Sequence, residues 1–279
     1  MEELVSVITP AFRAEKFIGR TVLSVIGQTY PNWEMLIVAD DDEDYESLLR
    51  NKGICDARLR FLRSGQHQSG PNRARNVALD AAAGAWIAPL DADDFFYPDR
   101  LKLLLEQAQE TGLALDNGYM VADCNDSQVE KIFNDLPEGK FTFAQFSRVH
   151  VPLLFLIHRC LISLPWDPDI DRGADTIFNL RALEAAGWAR YHPAPLHEYN
   201  VHCQSICHSE GAASQFDNAY HYTLGRLMND GLGFRSSRFR ARVQEFIERK
   251  RRLNHRFDEA IAEGYCGNFQ TFLSDHGFR

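Results

Sequence analysis

Three aspartates, Asp91, Asp93 and Asp94, stand directly behind an apolar run in WIAPLDADDFFYPDRL, Trp86 to Leu101. Carboxylates this close repel one another, so the cluster asks for a cation. Hard divalent ions prefer oxygen, and Mg²⁺ or Mn²⁺ is typically held by one or two carboxylates together with phosphate oxygens. On an extended segment Asp91 and Asp93 point to opposite sides. A turn at the strand end would let one hold a metal while the other takes a ribose or sugar hydroxyl. The plainer alternative is a polar loop whose Asp94 caps the next helix, PDRLKLLLEQAQ. A second chemical signal lies in SGPNRARNVALDAAAG, where Pro71 suits a first helical turn and Arg73 and Arg75 stand beside it. Backbone N–H groups and guanidinium can meet an anion there together. An acidic chain that must hold a diphosphate needs such a positive site as well as a metal. A third cluster, HCQSICH, groups His202, Cys203, Cys207 and His208. Its spacing is not that of a structural zinc site, which shows closer cysteine pairs and a second ligand pair elsewhere.

These groups need a scaffold, and the first half of the chain alternates strand and helix patterns. The strands LVSVITPAF, WEMLIVAD, LRFLRS and AWIAPLD are separated by the helical stretches AEKFIGRTVLSVIGQT, YESLLRNKG and NRARNVALDAAAG. Such alternation predicts a mostly parallel sheet with helices on both faces. Ligands of such sheets bind outside the carboxyl ends of the strands. Thr9–Pro10, Asp40–Asp42 and Asp91–Asp94 all sit at strand ends and are expected to converge on one crevice.

The second half is less regular. YMVAD and PLLFLIHRCLI look like strands, 124–148 has no clear pattern, DTIFNLRALEAAG is helical, and YHPAPLHEYNVHCQSICHS is a His-rich strand region. From Gln215 onward the pattern is helical. Phe239, Val243, Phe246, Leu253, Phe257 and Ile261 form an apolar stripe opposite a basic face.

Charge and hydropathy exclude some classes. The net charge is −9, yet residues 226–256 hold ten Arg/Lys and three Asp/Glu, so that segment carries +7 and the remainder −16. An acidic body does not suit a nucleic-acid groove, so no nucleic-acid partner is expected. The longest apolar run, VPLLFLIHRCLISL, is broken by His158 and Arg159 and falls short of the ~20 residues of a membrane helix. LVSVITP begins a strand pattern almost at once, so no export leader is expected, and the six cysteines are read as reduced thiols in a cytoplasmic protein.

With these motifs in order, the sequence resembles the family 2 glycosyltransferases of the GT-A fold, inverting enzymes that use nucleotide-diphosphate sugars. The matching stretches are VSVITPAFRAEKFIGRTVLSVIGQTYPNWEMLIVADD, GPNRARNVALDAAAGAWIAPLDADD, PWDPDIDRGADTIFNLRALEAAG and PLHEYNVHCQSICH. They span roughly residues 4 to 208. The resemblance implies an α/β GT-A domain over 1–210, with a nucleotide-sugar half at 1–115 and an acceptor and catalytic half at 116–210. A helical extension over 211–279 lies beyond it. It implies that Thr9, Pro10, Ala11 and Phe12 lie along the nucleotide base, with Glu15 near the nucleoside and Asp40 accepting from the base. Arg75 would lie close to base and phosphate. In the D-x-D triplet Asp91–Ala92–Asp93, Asp91 and Ala92 would contact the nucleotide and Asp93 would be the metal ligand. Asp175 would be the catalytic base, and His202 would help hold metal or diphosphate. The implied cofactor is Mn²⁺ or Mg²⁺, the donor a UDP-sugar, and the acceptor a saccharide or lipid-linked hydroxyl.

Two departures from the family pattern stand out. VADDDED replaces the usual VDDGS, which puts Ala39 at the first aspartate and Asp41 at the glycine. "AD" replaces the usual "ED", with Ala174 at the glutamate. They motivate a rival reading, a non-catalytic sugar-nucleotide sensor. A glycosidase would have no use for Asp40 at a base position, and a nucleotidyltransferase would open with a Gly-rich loop. A plainer role for Asp175 is to cap the helix TIFNLRALEAAG. The tail stripe is expected to pack on the protein's own body or on a second subunit; the alternative is docking on the inner face of an anionic membrane.

Overall fold

The computed structural model describes residues 3–122, 128–201, 212–267 and 269–277. Its first half follows the alternation: β1 Val5–Ala11, α1 Ile18–Ile26, β2 Trp33–Ala39, α2 Tyr45–Asn51, β3 Leu59–Arg63, α3 Pro71–Ala81 and β4 Trp86–Pro89. Next come β5 Phe95–Phe96, α4 Arg100–Ala108, β6 Leu113–Ala122, β7 Gln128–Lys131, β8 Gly139–Phe141 and α5 Phe143–Phe146. The chain continues with β9 Phe155–His158, α6 Ala174–Ala186, β10 Ala189–Val201, α7 Ala212–Asn229, α8 Ser237–Ala262 and α9 Phe269–Asp275.

One sheet runs in the order β3-β2-β1-β4-β9-β6-β10-β5, with β7 on β6 and β8 on β10. β3, β2, β1 and β4 are mutually parallel, as are β6 and β10. β9 lies antiparallel between β4 and β6, so the sheet is mixed. The parallel strands β1 and β2 are almost wholly buried because helices cover both faces, which is why they read as continuous Val/Ile/Leu runs. In register Ala11 stands beside Ala39 and Ile8 beside Pro89, so β1 and β2 end together, β4 ends earlier, and all three carboxyl ends lie on the same side of the sheet.

The unpatterned stretch 124–148 contains β7, β8 and the four-residue α5. Elements this short contain too few residues to display a period.

The tail folds back on the body. Val243 and Phe246 share a buried cluster with Ile177 and Phe178 of α6, and Phe239 packs against it. Farther along α8, Leu253 and Phe257 pack with Phe272 and Leu273 of α9. Only Ile261 of the stripe stays exposed, at 45%. The body therefore covers the first part of the stripe and α9 the part at Leu253 and Phe257, while Arg238, Arg242, Arg249, Arg252 and Arg256 line the exposed side of α8. None of the described helices is long and apolar enough to cross a membrane.

Candidate active site

The rim formed by the ends of β1, β2 and β4 is organised by α3. Gly70 precedes this helix with φ 94°, a conformation that favours glycine, and Pro71 opens its first turn. Asp40 fastens the loop in front: Oδ1 accepts from Ser69 N (3.0 Å) and Ser69 Oγ (2.5 Å), and Oδ2 from Gly70 N (2.8 Å). A carboxylate offers about four lone-pair sites, so three donors leave it one. Asp40 is only 4% exposed, and its own N–H donates to the Ala11 carbonyl at 2.8 Å, joining β2 to β1.

Beyond Ala11 the chain turns sharply. Arg13 has φ 52°. Asp41, which takes the place of a glycine in the resembled motif, holds this bend: its Oδ2 accepts from Arg13 N at 2.6 Å and from Tyr45 Oη at 2.9 Å. Phe12 projects at the rim, 40% exposed, with the Arg13 guanidinium 5.1 Å from its ring and His67 edge-on at 6.3 Å. Thr9 is fully buried, its hydroxyl without a partner among the described residues. Pro10 is half-buried and Ala11 buried; Glu15 is half-buried ahead of α1, its carbonyl accepting from Lys52 Nζ at 2.8 Å.

Behind β4 the aspartate cluster forms a turn, closed by Asp94 N donating to the Asp91 carbonyl at 3.1 Å. Thr21 Oγ1 donates to the carbonyls of Ala92 and Asp94 at 2.7 and 2.9 Å. Asn200 of β10 completes the frame, its Nδ2 donating to the Asp93 carbonyl (2.8 Å) and its N–H to Asp94 Oδ1 (2.9 Å). Asp94 therefore caps no helix: α4 begins at Arg100 behind Asp99, and Asp94 is 1% exposed. Burial, with Asp93 and Asp91 close by, pushes its carboxyl well above the usual range. Asp91 and Asp93 remain half-buried, and Ala92 between them is buried.

Arg75 joins this turn to the first turn of α6. It is 6% exposed; Nη2 donates to Asp91 Oδ1 at 2.6 Å, and Nη1 lies 3.4 Å from Asp175 Oδ1. Burial opposes the guanidinium charge, but Asp175 and Asp91 outweigh it and hold Arg75 above its ordinary value. Asp175 sits in the first turn of α6, and the cap position is Gly173, at φ 80°, so Asp175 is not the cap. Burial pushes its carboxyl up, Arg75 pulls it down, and Asp91 pushes it up again; the result is raised. A carboxylate so placed holds a proton more strongly than an ordinary aspartate, as suits a general base.

The loop carrying α6 is itself tied to α3. Asn72 Nδ2 donates to the Ile170 carbonyl at 2.9 Å, while Asn76 exchanges hydrogen bonds with the Trp166 backbone at 2.8 and 2.9 Å. One helix thus positions the loop that leads to Asp175 and carries Arg75 itself.

The family description "Glycosyl transferase family 2" matches residues 6–162, more than half of the chain. The chain belongs to glycosyltransferase family 2. Among its family 2 relatives, "UDP-Glc:alpha-D-GlcNAc-diphosphoundecaprenol beta-1,3-glucosyltransferase WfgD" of Escherichia coli is 34% identical over 128 residues, 46% of this chain and 50% of that protein. "Putative teichuronic acid biosynthesis glycosyltransferase TuaG" of Bacillus subtilis is 37% identical over 138 residues, 49% of this chain and 54% of that protein. The chain thus spans about half the length of these curated relatives. Among solved structures, S. aureus TarS 1-349 in complex with UDP-GlcNAc superposes with a TM-score of 0.70 at 18% identity, covering 87% of this chain and 71% of that one. That likeness establishes the GT-A-like fold: a mixed sheet flanked by helices, with a helical extension.

For a family 2 glycosyltransferase the expected residues are largely adjacent. Arg75, Asp91 and Asp175 meet directly, and Asp40 acts on the start of the helix that carries Arg75. His202, with Cys203, Cys207 and His208, lies outside the described residues. Asn72, Asn76, Trp166 and Asn200 did not stand out in the sequence. The first two are an i, i+4 polar pair flanking Arg75, the only signal that could have revealed them.

Proposed function

We propose that this chain transfers a sugar from a UDP-sugar to a hydroxyl of a saccharide or lipid-linked acceptor, with inversion at the anomeric carbon. The observation that carries the reading is the Arg75 bridge, which sets the donor-side Asp91 and the proposed base Asp175 against one guanidinium. Phe12 on the rim suits the face of a base, and Asp40 keeps one lone pair for a base N–H. In support, the E. coli relative is named for UDP-Glc and a diphosphoundecaprenol-linked acceptor, and the S. aureus structure contains UDP-GlcNAc.

The donor set fits a hard divalent ion. Asp93 and Asp91 are half-buried carboxylates on one turn, and such ions take one or two carboxylates plus phosphate oxygens. Phosphate oxygens of the substrate diphosphate would complete the shell. Asp93, helped by His202, would hold Mn²⁺ or Mg²⁺, which supplies charge neutralisation to the leaving diphosphate. Asp175 accepts the acceptor's hydroxyl proton as that oxygen bonds to the anomeric carbon and the bond to the diphosphate breaks. Arg75 faces the charge that leaves. One displacement inverts the centre.

The exposed arginines of α8 suit electrostatic contact with the anionic inner face of a membrane rather than insertion, because the apolar stripe is already covered. Sedimentation with anionic vesicles at low and high salt tests this; absence of binding at low salt ends it.

A mass-spectrometric screen of nucleotide sugars with Mn²⁺, with the product anomer assigned by NMR, tests the main reading. Retention of configuration overturns the single displacement, and tight nucleotide binding without turnover on any acceptor selects the sensor. Asp93→Ala is expected to abolish transfer, whereas undiminished activity in excess chelator removes the metal.

A further inference from the structure

The two oxygens of Asp175 have different surroundings. Oδ1 accepts from Trp166 Nε1 at 2.7 Å and lies 3.4 Å from Arg75 Nη1. Among the described residues nothing donates to Oδ2, although the side chain is 38% exposed. A carboxylate with one oxygen doubly held and the other open has a fixed orientation and a defined site for a proton.

Trp166 is itself immobilised. It is 1% exposed, its ring stacks on Phe178 with centroids 3.5 Å apart and planes at 12°, and Asn76 grips its backbone from α3. An indole N–H can only donate, so it cannot compete with Asp175 for an acceptor proton. A donor to the charged carboxylate also favours the ionised form that a base requires.

We propose that Trp166 is a positioning residue for the base: its indole N–H fixes Oδ1 of Asp175 and reserves Oδ2 for the acceptor hydroxyl. This rests on the reading of Asp175 as the base. The indole acts on Asp175 alone, so its loss should appear in turnover and not in donor binding. Burial pushes the Asp175 carboxyl up, Arg75 pulls it down, Asp91 pushes it up, and the Trp166 N–H pulls it down with Arg75, so losing the N–H raises the carboxyl further. The rate requires the ionised base, and the acid limb of its pH profile must then move to higher pH.

Trp166→Phe tests this, because phenylalanine keeps a ring against Phe178 and lacks the N–H. The expected result is a kcat lowered about ten- to hundredfold near neutral pH, the range of one charge-assisted hydrogen bond, with donor KM unchanged. The acid limb should shift upward and part of the rate should return in alkaline buffer. Phe178→Leu, which loosens the stack and leaves the N–H, should keep the acid limb in place. If both variants shift the limb alike, the role is packing and the proposal fails. An unchanged limb and kcat in a folded Trp166→Phe protein also overturns it. Asp175→Asn is the control for the underlying reading: full turnover in that variant removes the base, whereas its inactivity beside an unaltered Trp166→Phe removes the tryptophan alone.

Discussion

Two buried arginines each face carboxylates in this molecule, with opposite consequences. Arg100, at the start of α4, is 0% exposed; it pairs with Asp116 of β6 at 2.9 Å, donates to the Leu154 carbonyl at 2.8 Å and lies over Phe96 at 4.0 Å. Asp116 also accepts from His197 Nδ1 at 2.6 Å and Leu196 N at 3.1 Å. Arg75 is nearly as buried, but each of its two carboxylate partners has a side chain 38% exposed. Burial alone would raise Asp116; Arg100 and His197 outweigh it and hold the carboxyl below its usual range. Asp175, with fewer donors, is held above it. The closed cluster joins α4, β6 and β10, whereas the open one lies beyond the strand ends and leaves Oδ2 of Asp175 without a donor among the described residues. Burial of the cation does not mark a site. Unsatisfied capacity on its anions is what separates the two clusters.

Arg100→Met should cost the most, about 3–5 kcal/mol of stability, because it leaves Asp116 charged and buried without its main partner. Denaturant midpoints check this, and turnover per folded molecule should persist. Arg75→Met should reverse the pattern. Turnover is expected to fall roughly 10²–10³-fold, as for a lost charge-stabilising group, while stability changes by about 1 kcal/mol because its partners reach solvent. Equal stability losses in the two variants would erase the distinction between the clusters. Asp40→Ala should cost about 1–3 kcal/mol of nucleotide affinity by calorimetry, both through the base contact and by releasing Ser69 and Gly70 before α3.

The smallest effect is in pH. The Asp116 carboxyl is depressed in the folded state, so its stabilisation is fully present above the unfolded value of about 3.9 and is lost as pH falls through the lower folded value. Acid titration of stability should therefore show this contribution fading only below about pH 4. A fade beginning near neutrality would mean that Asp116 is not held ionised by its neighbours.

The open cluster was more legible in the sequence than the closed one. Asp91, Asp93 and Asp94 crowd one strand end, and the helix start bearing Arg75 is marked by Pro71, so unusual composition betrayed them. Asp116, Arg100 and His197 are separated in the chain and each sits within an ordinary strand or helix pattern, so only folding brings them together. The parallel strands β1, β2 and β4 were readable because double-sided burial requires continuous apolar runs. β5 was not: two phenylalanines behind three aspartates show no alternation. Trp166 lies in PWDPDID, where no period exists to say which way its indole points. Asp41 departs from the glycine of the family pattern, and its carboxylate holds Arg13 and Tyr45.

The antiparallel β9 bears on the order in which the chain can assemble as it is synthesised. β4 finds β1 early, but its other edge stays open until residues 155–158 have left the ribosome, because β9 is the strand that covers it. During that interval an apolar edge containing Ile87 and Ala88, both fully buried in the finished fold, faces solvent or other nascent chains. Fragments ending between α4 and β9 should therefore self-associate, and a pause in translation there would be more hazardous than one after β9 has docked.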